Sequence, residues 1–375
     1  MRNNLQKYDL PSRHDTTMTS RIRTICALAP TFMLAAALAS CGGGGGGTNA
    51  TPTPALTYQG TVTSVLAVTY TAEDLSISDE ITAASSPSIR LDAGAGLLAQ
   101  NPKLDTAASS HAAFLVDNNL QSNAIYLTTS FGGILGGHYE DNNTANASNQ
   151  TNYTGASPQA RATAAGYSGT VTELMTFGAA DGAACVASLE DSVYHSIALV
   201  SPFIDMGIGF NAGGGGSVCA IVMGVKSTSL GQLPAAGPVV YPYDGQADVL
   251  PTFYNQAEVP TPPVTTSPAG HPVVVSLYTL ATPTLSGSNI VIDNFSITPQ
   301  SGVSALAQVL TKSGVTSGSG GPTLTPDSNI PAAGFVVLVP TSPLTPGTIY
   351  DISFSAKVKG QTVSKSWSFT TGAAN

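Results

Sequence analysis

The stretch from Ser188 to Phe210, SLEDSVYHSIALVSPFIDMGIGF, constrains the fold of this chain more than any other. Its first half is typical of the end of a helix that carries His195, and the Ser201–Pro202 pair ends that helix. The apolar, glycine-punctuated run from Met206 to Phe210 is typical of a buried strand. The order helix, loop, buried strand predicts a domain of mixed structure with a polar cleft near His195.

A continuous helix here also predicts which polar side chains lie beside the imidazole. Asp191 and Ser192 precede His195 by four and three residues, so a helix would place all three on one face.

Composition limits the kind of protein that surrounds this segment. The chain has 375 residues, enough for two domains, but only 9% are charged, well below the usual quarter. The 39 glycines and 25 prolines favour strands, turns and linkers over a long helical bundle. The net charge is −9, and −12 without residues 1–40, and no basic stripe is present. An acidic surface repels phosphate backbones, which argues against a nucleic-acid partner.

The N-terminal 40 residues have the order of a secretion signal. Arg21 and Arg23 precede a short apolar segment, residues 25–38, that is too short for a confident spanning helix. The following Leu38-Ala39-Ser40-Cys41 resembles a bacterial lipobox. That resemblance implies that Cys41 becomes the lipidated first residue after cleavage, and an ordinary secretory signal with a coincidental cysteine is the alternative.

Residues 41–57 predict a flexible tether, because they consist of six consecutive glycines followed by Thr-Pro pairs. Gly42 directly after the cysteine resembles the sorting signal for the outer membrane of diderm bacteria. The expected location is therefore the cell envelope, with the lipid anchor in the bacterial outer membrane.

Two further cysteines, Cys185 and Cys219, lie in the presumed globular part. In an exported protein they predict one disulfide, and two buried free thiols are the alternative.

Local patterns predict the elements of a first domain over residues 58–230. They are a short strand and polar loop at 58–82, a weaker helix at 83–98, a helix at 103–117, a strand at 125–127, a helix at 159–165 and a strand at 170–177. His111 lies on the apolar face of its helix, which favours a core histidine bonded to a backbone carbonyl. His138 stands in a glycine-rich segment, and Glu173 is a lone carboxylate among apolar strand residues that needs a partner or a cleft.

The order of several short motifs resembles the CAP superfamily (cysteine-rich secretory proteins, antigen 5 and pathogenesis-related 1; SCP-like in bacteria). The motifs are Gly96-Leu97-Leu98, Asn101 to Asp105, Ala107 to Ala112, His138-Tyr139, Ser157 to Arg161 with Gly166-Tyr167, Glu173, His195 and Gly207-Ile208-Gly209. The similarity covers about residues 83–225. It implies a three-layer α-β-α sandwich whose cleft holds two histidines and two acidic residues and binds divalent metals in some members.

Three residues of this chain match cleft positions of that family: His138, Glu173 and His195. The fourth departs, because Ser192 stands where animal members have glutamate. Two imidazoles and a carboxylate could hold zinc with water in the fourth position, and Asp191 could orient His195. The alternative is a polar, hydrogen-bonded cleft that helps to fix the fold.

The C-terminal part predicts a separate module of the all-β class. Residues 231–269 are rich in proline and predict a semi-rigid linker, with His271 at its end exposed to solvent. Residues 270–375 contain short alternating strands at 273–280, 290–297, 306–310, 335–339, 349–358 and 363–370, which suggests a β-sandwich.

Two features of this module refine the prediction. The run Leu344 to Tyr350 resembles the tyrosine corner of fibronectin-like and bacterial immunoglobulin-like domains, in which Tyr350 would bond an upstream backbone group. Trp367 and Phe369 are expected in the core, with carbohydrate binding by Trp367 as the alternative.

Three functions follow from these observations. The first is a lipid-anchored CAP protein that binds a small ligand, a lipid or a partner in its cleft without turnover. The second is a metal-assisted peptide or ester hydrolase that uses the same cleft. The chain contains no Gly-x-Ser-x-Gly or His-Glu-x-x-His motif, which argues against an enzyme. The third is a structural or adhesive envelope protein.

Overall fold

The computed structural model describes residues 70–140, 152–226 and 232–373. Every described residue belongs to one compact unit, Pro52–Asn375. The predicted signal peptide, the tether and the lipidation site at Cys41 lie outside the described residues. Over the described ranges, no helix has the length and apolar character needed to cross a bilayer. The structure combines helices with several sheets, which confirms the predicted α+β class.

The described residues up to Lys226 form what we call the mixed lobe. Its helices are α1 (Ala72–Thr82), α2 (Ile89–Ala93), α3 (Pro102–Asp117), α4 (Ala124–Thr128), α5 (Pro158–Ala164), α6 (Gly182–Glu190) and α7 (Val193–Leu199). Its strands are β1 (Ala99–Gln100), β2 (Ser130–Phe131), β3 (Ile134–Leu135), β4 (Gly169–Phe177), β5 (Asp205–Gly213) and β6 (Gly216–Lys226). A short 3-10 helix, Gly136–His138, contains His138.

A four-stranded sheet in the order β1-β5-β6-β4 is the centre of the mixed lobe, and β4 is one of its edges. Helices pack on both faces, because alternate residues of β6 enter different cores: Cys219 lies with α1, α2, α6 and α7, whereas Val218 lies with α3 and α5. Helix α3 approaches the sheet very closely at Gly207, where a Cβ atom would lie 2.0 Å from the Leu104 carbonyl carbon. Only glycine permits that approach.

Three expectations about local structure were wrong. Residues 72–82 form α1 instead of a polar loop, because Thr71 and Asp74 exchange the reciprocal bonds of a capping box; the short strand predicted before them, at residues 62–69, lies outside the described residues. Residues 124–128 form α4 instead of a strand, because the Asn123 side chain accepts the Tyr126 N–H and starts a helical turn. The expected continuous helix before His195 breaks at Asp191–Ser192, where Ser192 has extended backbone (φ −145°, ψ 158°).

The disulfide between Cys185 and Cys219 is present, as predicted. It joins α6 to β6, and both cysteines are fully buried. The bond therefore ties the helical layer to the sheet from inside the core.

Residues 232–373 form what we call the β lobe. Its strands are β7 (Val239–Tyr241), β8 (Thr252–Phe253), β9 (Ala269–Gly270), β10 (Val273–Ser276), β11 (Ile290–Pro299), β12 (Ala307–Thr311), β13 (Thr316–Ser317), β14 (Leu324–Pro326), β15 (Phe335–Pro340), β16 (Ile349–Val358) and β17 (Gln361–Thr370). A five-stranded sheet, β14-β12-β15-β10-β7, and a four-stranded sheet, β13-β11-β16-β17, share one apolar core.

The predicted landmarks of this lobe are where the sequence suggested. The Tyr350 hydroxyl accepts a hydrogen bond from the Thr345 N–H at 2.8 Å. Trp367 and Phe369 are buried in the core between the sheets, and the Trp367 indole N–H donates to the Pro242 carbonyl at 2.9 Å. The hairpin between β16 and β17 turns through two residues with positive φ, Lys359 and Gly360.

The two lobes share a continuous hydrophobic core. The outer face of the five-stranded sheet contributes Val274 and Phe335 to the same cluster as Leu189 of α6 and Ile197 of α7. His271 lies at this junction and is 1% exposed, so the expectation of a solvent-exposed histidine was wrong. The proline-rich segment before it is part of the β lobe: it contributes strand β7 and supplies Tyr241 and Phe253 to the shared core.

Candidate functional site

A cleft of about 450 Å³ lies along the open edge of β4. Consecutive strand residues, Val171 to Leu174, line it, which is possible because β4 has a partner strand on one side only. His138 enters from the 3-10 helix on one wall and His195 from α7 on another, and Val259 and Pro260 close one end. The structure thus brings His138, Glu173 and His195 to one cleft.

His138 is held by the buried carboxylate of Glu173. The His138 Nδ1 atom lies 3.0 Å from Glu173 Oε2, and the His138 side chain is 25% exposed. The same carboxylate accepts hydrogen bonds from Arg161 Nη2, at 2.8 Å to each oxygen. Burial by itself would raise the pKa of Glu173, but the Arg161 guanidinium, helped by His111 and His138, holds it well below the ordinary value.

A second buried carboxylate extends this arrangement into a network. His111 Nδ1 lies 3.1 Å from Glu140 Oε1, and His111 Nε2 lies 2.9 Å from the Gly137 carbonyl oxygen. Arg161 Nε is 3.7 Å from Glu140 Oε1. Two carboxylates, one guanidinium and one imidazole thus form a single buried network.

The expected bond from His111 to a backbone carbonyl is present, but its ion pair with Glu140 was not anticipated. Glu140 follows His138 by two residues, and the Glu140 carboxylate also accepts the Gly155 N–H at 3.0 Å. An acidic residue next to a glycine-rich histidine segment was the available signal. The partners of Glu140 are remote from it in sequence, and no sequence pattern marks them.

His195 is oriented from behind by Ser192. The Ser192 hydroxyl lies 2.8 Å from His195 Nδ1 and donates its proton to the Leu189 carbonyl at 2.9 Å. A hydroxyl has one proton, so Nδ1 of the ring must donate to Ser192, and Nε2 keeps its lone pair. Ser192 itself is 5% exposed and stands behind the ring rather than in the lining of the cleft.

Glu258 is a site residue that the sequence interpretation missed. Its carboxylate accepts the N–H groups of Val193 at 2.9 Å and Tyr194 at 2.7 Å, so it caps the N terminus of α7. Its Oε1 atom also lies 3.9 Å from His195 Nδ1. Glu258 therefore brings a carboxylate to the same side of His195 as Ser192. It comes from the predicted linker, 63 residues after His195, and no local pattern marks it.

Burial sets the protonation of this pair. It raises the pKa of Glu258 to about 7, against the opposing effect of the backbone N–H bonds. Burial also lowers the pKa of His195 to about 4, and a charge on the nearby His138 acts in the same direction. His195 is therefore neutral at physiological pH.

Asp191 does not orient His195. The break between α6 and α7 turns it away, and its Oδ1 atom lies 3.3 Å from Nδ1 of the buried His271. Burial raises the pKa of Asp191, and the bond to His271 opposes that rise.

The residues facing the cleft offer few donors for a metal. Both oxygens of Glu173 already accept from Arg161, which leaves Nε2 of His138 and Nε2 of His195. Within the described ranges, no group of three histidine, cysteine, aspartate or glutamate side chains has the arrangement of a metal site. Zinc ordinarily takes three or four protein ligands, so this donor set is short by at least one.

Neither a comparison with protein-family models nor a search of curated proteins finds a match for this chain.

We expect replacement of Arg161 by methionine to destabilise the protein by about 3–5 kcal/mol at pH 7, because two buried carboxylates lose their main counter-charge. The measurement is urea-induced unfolding of the purified protein. The control is Lys357→Met, which removes a surface ion pair to Asp293 at 3.9 Å and should cost only about 0–1 kcal/mol. Equal losses in the two variants would contradict the assignment of the network as a major source of stability.

We expect Glu258→Gln to change the pH dependence of stability. The folded-state pKa of Glu258 is raised to about 7. The free-energy cost of burying its ionised form is therefore absent at pH 4, and it grows as the pH rises through the folded-state pKa. Relative to wild type, the glutamine variant should gain about 2–3 kcal/mol between pH 5 and pH 8.

The control for this experiment is Glu73→Gln, since Glu73 also accepts a backbone N–H at a helix N terminus, from Gly182 at 2.7 Å. The Glu73→Gln variant measures the loss of stability that comes from weakening a capping bond. Parallel stability curves for wild type and Glu258→Gln from pH 5 to pH 8 would show that the Glu258 carboxyl does not titrate in this range.

Proposed function

We propose that this chain is a lipid-anchored, extracytoplasmic binding protein of the CAP type, whose cleft holds a small ligand without turning it over. The observation that carries the proposal is the pair of imidazoles at the open edge of β4. Each has its Nδ1 atom held by a protein acceptor, Glu173 for His138 and Ser192 for His195. Their Nε2 atoms remain to contact a ligand in an open cleft.

The architecture supports the CAP assignment. The sheet has helices on both faces, and two histidines and two carboxylates, Glu173 and Glu258, lie at one edge. The facing sheets of the β lobe and the bond to the Tyr350 hydroxyl support an immunoglobulin-like module. Because this module shares a core with the mixed lobe, it helps to build the cleft, which favours binding over a purely structural or adhesive role.

The nearby hydroxyls favour binding over catalysis. Ser157 caps α5 by accepting the Ala160 N–H, and Ser192 donates to a backbone carbonyl behind the His195 ring. A serine nucleophile needs a neighbouring base that accepts its proton, and neither serine has that arrangement.

A metal-assisted hydrolase is the second candidate, and one observation favours it. Imidazoles whose Nδ1 atoms donate to fixed acceptors are arranged as in metal sites, where such partners orient the ligating nitrogen. His138 and His195 both meet that condition. Zinc held by these two residues would activate a bound water.

Native mass spectrometry of the purified protein separates these candidates. We expect wild type to carry an organic ligand that is lost from both His138→Ala and His195→Ala, because either change removes half of the imidazole pair. The control is His271→Ala, which removes a buried histidine outside the cleft. A stoichiometric mass of zinc in wild type, lost in both cleft variants, would instead establish the metal site and favour the hydrolase.

The anchor has a separate test. We expect Cys41→Ser to release the protein from the membrane fraction, because a hydroxyl cannot form the thioether to the lipid. The measurement is fractionation of cells that express each form. Retention of the variant in membranes would show that Cys41 is not the anchor.

A further inference from the structure

A second cavity of about 600 Å³ adjoins the histidine cleft. The two share Val171, Thr172, Tyr194 and Ala198 as lining residues, so they lie side by side along β4 and α7. The second cavity, which we call the interlobe chamber, has walls from both lobes. The mixed lobe supplies Ile197, Phe203 and Val225, and the β lobe supplies Tyr278, Ala332 and Phe335.

The chamber is predominantly apolar, and three of its four hydroxyl-bearing side chains, all except Thr172, have a hydrogen-bond partner. The Tyr194 hydroxyl donates to Asp327 Oδ2 at 2.9 Å, and the Ser201 hydroxyl donates to the Ile197 carbonyl at 2.7 Å. The Tyr278 hydroxyl accepts the Gly334 N–H at 3.1 Å. Such a lining favours hydrocarbon over a polar ligand, because it offers few unpaired groups to replace lost water contacts.

The cleft has the opposite character and selects a different chemical group. Nε2 of His138 and Nε2 of His195 are left to contact a ligand, since Nδ1 of each ring is held by the protein. The nearest carboxylates are Glu173 and Glu258, and the chain as a whole has a net charge of −9. A hydroxyl group is favoured here because it can donate to Nε2 or accept from it, and the net negative charge opposes an anionic group.

We propose that the cleft and the interlobe chamber together bind a single-chain amphiphile, whose neutral, hydroxyl-bearing head meets the two imidazoles and whose alkyl chain fills the chamber. This inference rests on the proposed binding function and adds the chemical class of the ligand. A glycerol head supplies two hydroxyl groups for the two Nε2 atoms. Burial of the chain then provides most of the affinity.

The test is calorimetric titration of the full-length protein with octyl, decyl and dodecyl glycerol ethers below their micelle concentrations. Ethers are used because a hydrolase could not cleave them. We expect affinity to increase about fourfold for each methylene, the value for full burial of a CH₂ group. The matched series of octanoate, decanoate and dodecanoate should bind at least tenfold more weakly, because its head is an anion.

Variants assign the chain to the chamber. Ala332 lines the chamber but not the cleft, so Ala332→Trp should fill the chamber and abolish the dependence on chain length. Ala187→Trp, on the exposed face of α6, should leave that dependence intact. If Ala332→Trp does not fold, the dependence of wild-type affinity on alkyl chain length is itself the test of the proposal.

Failure of the amphiphile proposal can be distinguished from failure of the proposed binding function. Affinity that is independent of chain length, or no binding of any ether, would overturn the amphiphile proposal, and so would carboxylates that bind as tightly as ethers. None of these results removes the binding function itself, which stands or falls on the ligand retained by wild type and lost from the cleft-histidine variants.

Discussion

The buried pair of Arg161 and Glu173 is the interaction on which the cleft depends. Glu173 stands on an edge strand and points towards a layer of apolar side chains, where an unpaired carboxylate would be costly. Arg161 neutralises it and also donates to the carbonyls of His138 and Gly155 at 3.1 and 3.2 Å. One guanidinium therefore fixes the strand, the loop that carries His138 and the segment before α5. The position of the His138 imidazole therefore follows from the neutralisation of Glu173 by Arg161 in the core.

The second histidine depends on the other lobe. Helix α7 is only seven residues long, and short helices gain little stability from their own hydrogen bonds. Glu258 caps its N terminus, Asp327 accepts from the Tyr194 hydroxyl, and the five-stranded sheet packs against its apolar face. The β lobe thus holds His195 in place. The proline-rich segment takes part in this support, because Glu258 belongs to it.

Local chemistry explains which parts of the fold were predictable. The caps at Asn101 and Ser157 marked α3 and α5 within a residue, and strict alternation marked the long strands of the β lobe. Helix α1 was missed although Thr71 and Asp74 form a capping box, because a β-branched, polar run outweighed that signal. The cleft histidines and Glu173 came from an ordered set of motifs. Glu140 and Glu258 did not, because carboxylates that act across long sequence separations leave no periodic trace.

The same physics determines what the cleft can do. A catalytic carboxylate must be free to exchange protons or bind a reacting group, but Glu173 is held ionised by Arg161 and already shares both oxygens. Glu258 is buried at a helix terminus, and its hydrogen bonds are directed to backbone N–H groups. Glu173 therefore orients the His138 imidazole, and Glu258 holds the helix that carries His195. An arrangement that holds two imidazoles in fixed positions leaves their two Nε2 atoms preorganised at the cleft.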